Sequence, residues 1–64
     1  MKKIRLLIVD DQESILFFLR KTLEEEGYEV ETATTGGEAL AKSTRIQPDV
    51  VLLDIDLGER ILEA

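Results

Sequence analysis

The 64-residue chain carries a formal net charge of −6 and contains neither cysteine nor histidine. A chain of this size makes one small domain that buries a marginal fraction of its surface, so a ligand or partner often completes its core. The missing residue types exclude disulfides, thiolate metal sites, a thiol nucleophile and the usual general base and zinc ligand, while the acidic balance argues against generic binding to nucleic acid or anionic membranes. The apolar runs fall far below the roughly 20 residues of a membrane span. The start Met1-Lys2-Lys3-Ile4 lacks the small-residue cleavage site of a signal peptide, so a cytoplasmic location is expected.

The first predicted element is a strand over Ile4 to Val9, apolar except for Arg5, and it runs into Asp10 and Asp11. The period then changes. Ile15, Phe18, Leu19, Thr22 and Leu23 recur at three- and four-residue spacing, which predicts an amphipathic helix from about Glu13 to Glu26. Asp11 or Gln12 begins it, and Gly27 is placed to end it in a left-handed conformation. Leu16 and Phe17 fall beside or outside the expected core stripe and are candidates for a contact patch.

Tyr28 to Ala33 alternates, with Tyr28 and Val30 on one face and Glu29 and Glu31 on the other, which predicts a half-exposed strand at a sheet edge. Thr35 with Glu38 three residues on forms a capping box opening a second helix, whose inner face is expected from Ala39, Leu40 and Ser43. Pro48 ends it, because its ring disfavours helix in the residue before. Gly36 and Gly37 make no phosphate-binding loop, since no Gly-Lys-Ser/Thr follows.

The third strand, Val50 to Leu53, is a short apolar run without alternation, the pattern of a strand buried on both faces of a parallel sheet. It ends in Asp54. The order β-α-β-α-β with right-handed crossovers gives three parallel strands in spatial order 2-1-3. Ligands of open α/β sheets bind outside the carboxyl ends of the strands. That topology brings Asp10, Asp11 and Asp54 to one such end. Alone, each would be an ordinary helix-capping or loop acid. Together they repel one another by roughly several kcal/mol at an intermediate dielectric, and a hard divalent cation is the simplest remedy. The third strand's far edge has no neighbour and no lysine or proline within it, which points to pairing with a second copy, a homodimer or domain-swapped oligomer.

In combination, I-V-D-D-Q at Ile8 to Gln12, the helical stretch Ile15 to Val30, A-T-T-G-G-E-A-L at Ala33 to Leu40 and P-D-V-V-L-L-D-I-D-L at Pro48 to Leu57 resemble the receiver domain of two-component response regulators. The resemblance covers about residues 3–57. It implies the first half of a flavodoxin-like, doubly wound α/β domain. It further implies that Asp54 accepts a phosphoryl group from a sensor histidine kinase or phosphotransfer protein, and that Asp10, Asp11, Asp54 and the backbone carbonyl of Asp56 hold Mg²⁺. The family's domain continues with a threonine or serine ending a fourth strand and a lysine ending a fifth, and these have no counterpart here; a truncated receiver is the expectation. Gly58 stands where the family commonly has proline. Two functions follow: a phosphoacceptor module of a phosphorelay, or a half-fold that self-associates through its third strand.

Overall fold

A computed structural model of the chain describes residues 2–53. Its elements are β1 (Arg5–Val9), α1 (Glu13–Glu25), β2 (Glu29–Ala33), α2 (Gly36–Ile46) and β3 (Val50–Leu53). The strands form one sheet in the order β2-β1-β3, and both pairings of β1 are parallel. This is the α/β arrangement expected from the sequence. The expected stretch beyond β3, including Asp54, Asp56 and Gly58, lies outside the described residues.

β1 is the centre of the packing because its side chains alternate between two covered faces. Leu6 and Ile8 meet Leu16 of α1 and Val30 of β2, with Leu19, Leu23 and Tyr28 packed around them. Leu7 and Val9 point the other way, to Ala33 and to Ala39 of α2. One helix therefore lies on each face, as right-handed crossovers require. β2 stands at an edge, with Glu29 exposed on it and Glu31 near Lys42.

The helix ends follow their residues. Gly27 closes α1 at φ 99, a left-handed conformation that a side chain would strain. At the start of α2 the Thr35 hydroxyl accepts the Glu38 amide at 3.0 Å. The Glu38 carboxylate reaches back one residue further than in a simple capping box, accepting the Thr34 amide at 2.8 Å and its hydroxyl at 3.2 Å. Those Thr34 bonds, with Lys42 3.4 Å away, hold the Glu38 carboxyl below the usual glutamate range. α2 ends at Gln47, whose φ of 57 is left-handed, immediately before Pro48.

Three expectations about faces are corrected. Leu16, placed at the margin of the stripe, is buried at 4% exposure, whereas Ile15 and Phe18, placed inside it, are exposed. Two interleaved sets share Leu19 and Leu23 in this helix, and the set through Leu16 is the one that meets Ile8 and Val30. Phe17 is open at 70%, as read from the sequence. In α2 Ala39 faces the core but Leu40 points to solvent, because only the smaller residue lies over Val9 and Ala33. β3 is buried on neither face: Val50, Val51, Leu52 and Leu53 are 43% to 71% exposed. The two helices cover β1 and β2 and leave the third strand uncovered among the described residues.

Two outcomes follow for stability. Leu16→Ala is expected to cost about 2–5 kcal/mol in urea unfolding, while Phe17→Ala, although it removes a larger side chain, changes it by less than about 0.5 kcal/mol. The Glu38 carboxylate is more acidic folded than unfolded, so its contribution is full above the unfolded value and disappears as pH falls through the folded one. The difference in thermal midpoint between the parent chain and Glu38→Gln should therefore be present at neutral pH and vanish in acid.

Candidate functional site

The carboxyl end of β1 is fixed by burial on both faces of the sheet, and the next residue inherits that position. Asp10 is only 7% exposed. Its amide donates to the Ala33 carbonyl at 3.1 Å, extending the β1–β2 ladder by one step. Its Oδ1 accepts the Gln12 amide at 2.8 Å. That bond is an Asx turn, in which a short acid replaces a backbone acceptor two residues on. It leads the chain into α1, whose N-cap Gln12 is extended and makes no side-chain cap bond of its own.

The sequence left Asp11 or Gln12 to begin the helix; Gln12 is the residue that does so, and Asp10 supplies the oxygen. The signal available in the sequence was the spacing, an aspartate two residues ahead of the helix N-cap. Asp11 follows on the exposed side of the turn. Both carboxylates therefore stand at the carboxyl end of β1, near the positive end of the α1 dipole, which favours negative charge.

The last described residue of β3, Leu53, lies level with the end of β1. The register pairs Leu6 with Val50, Leu7 with Val51, Ile8 with Leu52 and Val9 with Leu53. In the sequence, Asp10 follows the first of these strands and Asp54 the second. Asp54 and Asp56 lie outside the described residues, and so does their expected meeting with Asp10 and Asp11. Among the described residues no three acids gather as a metal-ligand set. The donors at this corner are carboxylate oxygens, in a chain with no thiol or imidazole, and that chemistry fits a hard cation such as Mg²⁺, which takes one or two carboxylates and keeps several waters.

A cleft of about 510 Å³ lies at the opposite end of the sheet, lined by Lys3, Arg5, Arg20 and Tyr28 among others. Its cationic wall is neutralised by Arg5–Glu29 at 3.2 Å and Arg20–Glu24 at 3.3 Å. Among the described residues no helix is long and apolar enough to cross a membrane.

The two roles of Asp10, turn acceptor and anion, can be separated. Asp10→Asn keeps an oxygen for the Gln12 amide and should leave urea stability nearly unchanged, whereas Asp10→Ala loses the bond and should cost about 1 kcal/mol.

The family model described as the response regulator receiver domain matches residues 6–61. The chain is 47% identical over 53 residues to the alkaline phosphatase synthesis transcriptional regulatory protein PhoP of Bacillus subtilis, covering 83% of the chain and 22% of that relative. It is 43% identical over 53 residues to the transcriptional regulatory protein PrrA of Mycobacterium leprae, covering 83% and 23%. It is 45% identical over 58 residues to the alginate biosynthesis transcriptional regulatory protein AlgB of Pseudomonas aeruginosa, covering 91% and 13%. The chain thus spans less than a quarter of the length of these relatives. With a match over most of its residues and three parallel strands in the order β2-β1-β3, the chain belongs to the response regulator receiver domain family.

Proposed function

We propose that residues 1–64 supply the amino-terminal half of a receiver and accept a phosphoryl group on Asp54, from a sensor histidine kinase or phosphotransfer protein. The observation that carries this is the β1–β3 register: Val9 stands opposite Leu53, with the buried Asp10 next in line on one strand and Asp54 next in sequence on the other. Asp10, Asp11, Asp54 and the Asp56 carbonyl would hold Mg²⁺. When bound, the ion supplies positive charge over the phosphoryl oxygens.

The chain's own part is an ionised carboxylate held in place. An oxygen of Asp54 attacks phosphorus, the new O–P bond forming as the donor's P–N bond, or the P–O bond of a small acyl phosphate, breaks on the opposite side. A carboxylate is already deprotonated at neutral pH, so the absence of histidine from the sequence is no obstacle. Asp10 is oriented by the Gln12 amide, which fixes one of its oxygens before any ligand arrives. The family's later hydroxyl and lysine lie outside these residues, and switching that runs through them is not part of the proposal. By the names of the relatives, the output such a receiver serves is transcriptional.

A second reading is favoured by β3 itself. Its four apolar residues are exposed on both faces and, among the described residues, one edge is unpaired, whereas the opposite edge, β2, carries Glu29 and Glu31. Charged side chains blunt an edge and apolar ones invite pairing. Under this reading two copies associate with β3 and part of α1 buried between them. Sedimentation velocity should then show a dimer that dissociates on dilution; a monomer across a wide concentration range contradicts it.

Intact mass after incubation with acetyl phosphate tests the first reading. A phosphate-sized gain is expected in the parent chain with Mg²⁺, and none in its absence or in Asp54→Asn. A gain that survives Asp54→Asn places the acceptor elsewhere and ends the proposal.

A further inference from the structure

We propose that Asp49, through its reciprocal bonds to Arg5 at the base of the sheet, sets the register of β3 and so positions the acid site at the other end; Asp49 is a positioning residue for transfer to Asp54. The proposal rests on the phosphoacceptor reading for its consequence, but not for its structural part.

Strand register is normally specified by burial, because a slip of one residue moves every side chain to the other face. β3 lacks that specification. Val50 and Leu52 share the face of Leu6 and Ile8, Val51 and Leu53 that of Leu7 and Val9, and both pairs are apolar and exposed. A slipped strand would present much the same surface to solvent. Some other interaction must select the observed register.

The contacts at the start of the strand meet that need. The Asp49 amide donates to the Arg5 carbonyl at 2.9 Å. In return the Arg5 amide donates to Asp49 Oδ2 at 2.8 Å. In an unbroken parallel ladder of this register, with Leu6 opposite Val50, that amide would bond to the carbonyl of Pro48. The residue before it, Gln47, is still leaving α2, left-handed and with its amide bonded to the Ser43 carbonyl at 2.9 Å. The Asp49 carboxylate takes the place of the missing acceptor.

The Arg5 side chain holds the same junction from above. Its Nη1 donates to the Ile46 carbonyl at 3.0 Å, at the last turn of α2, and its Nε to Glu29 on β2 at 3.2 Å. The end of α2, the start of β3 and the neighbouring strand are thus tied to one residue. Asp49 can occupy this place in only one register. Each residue of slip would carry Asp54 about 3.3 Å along the sheet relative to Asp10, more than a hydrogen-bond length.

The test compares the parent chain with Asp49→Ala and Asp49→Asn by cross-strand amide NOEs and by the rate of phosphate uptake from acetyl phosphate with Mg²⁺. In Asp49→Ala the β1–β3 NOEs are expected to disappear or split into two sets while those between β1 and β2 persist. Asn retains an oxygen for the Arg5 amide and should keep the parental pattern. Phosphate uptake should fall on the order of 100-fold in Asp49→Ala, the cost of misplaced reacting groups, and recover in Asp49→Asn. Unchanged β1–β3 NOEs in Asp49→Ala overturn the proposal. So does an Asp49→Asn variant that fails like alanine, or an Asp49→Ala chain that loses both ladders, since a clamp local to β3 leaves the rest standing. Unaltered uptake in Asp49→Ala overturns the positioning role. If the parent chain takes no phosphate, the phosphoacceptor reading fails, and the NOEs still decide the clamp.

Discussion

The sheet and the acids at its end depend on the burial of β1 between two strands and two helices. Four consecutive residues, Leu6 to Val9, point alternately to α1 and α2 and are all buried. Removing apolar surface of this kind from water contributes about 25 cal/mol per Å², and no other described strand is buried along four consecutive residues. The consequence is positional. A strand pinned along its length delivers the residue after it to a fixed point, and that residue is Asp10. An acid at the end of a less buried strand would wander with it.

The same arrangement leaves the sheet lopsided. Both helices sit over β1 and β2, and the apolar residues of β3 are held in place through backbone pairing and the Asp49–Arg5 exchange rather than by side-chain packing. Asp10, which follows β1, is therefore held by burial, while β3 is held by backbone pairing and by hydrogen bonds at its start. This separates two kinds of failure: substitutions in β1 endanger the fold, and substitutions around Asp49 endanger alignment. The exposed faces of β3 leave the two proposed readings compatible, since self-association would use the flank of the strand and phosphoryl acceptance its end.

Strand order, the two crossovers, the glycine stop at Gly27 and the cap at Thr35 were legible because each is written in local chemistry: an apolar run, a 3.6-residue period, a residue that tolerates positive φ, a hydroxyl three residues before a glutamate. The buried face of α1 was not. Ile15, Leu16, Phe17, Phe18 and Leu19 are all apolar, so periodicity alone admits two stripes, and only the positions of Ile8 and Val30 choose between them. The exposure of β3 was hidden for a different reason: valine and leucine record that a strand can be covered, and nothing in them records what covers it. Asp10 and Asp11 were legible as acids at a strand end. The second duty of Asp10, accepting the Gln12 amide, was not read, and neither was Asp49, although a lone arginine in an apolar strand and an aspartate just before another were both in view.

The central claim is that, of all the acids in this chain, those at the carboxyl end of the sheet form the cation-binding phosphoacceptor site. Titration with Mn²⁺, followed by paramagnetic broadening of backbone amide resonances, tests it most directly, because broadening falls off steeply with distance from the ion. The account predicts selective broadening at Asp10, Asp11 and the residues following Leu53, reversed by excess Mg²⁺, with Arg5 and Asp49 at the base of the sheet unaffected. Broadening centred on Glu24 to Glu26, or spread evenly over the acidic surface, would contradict it.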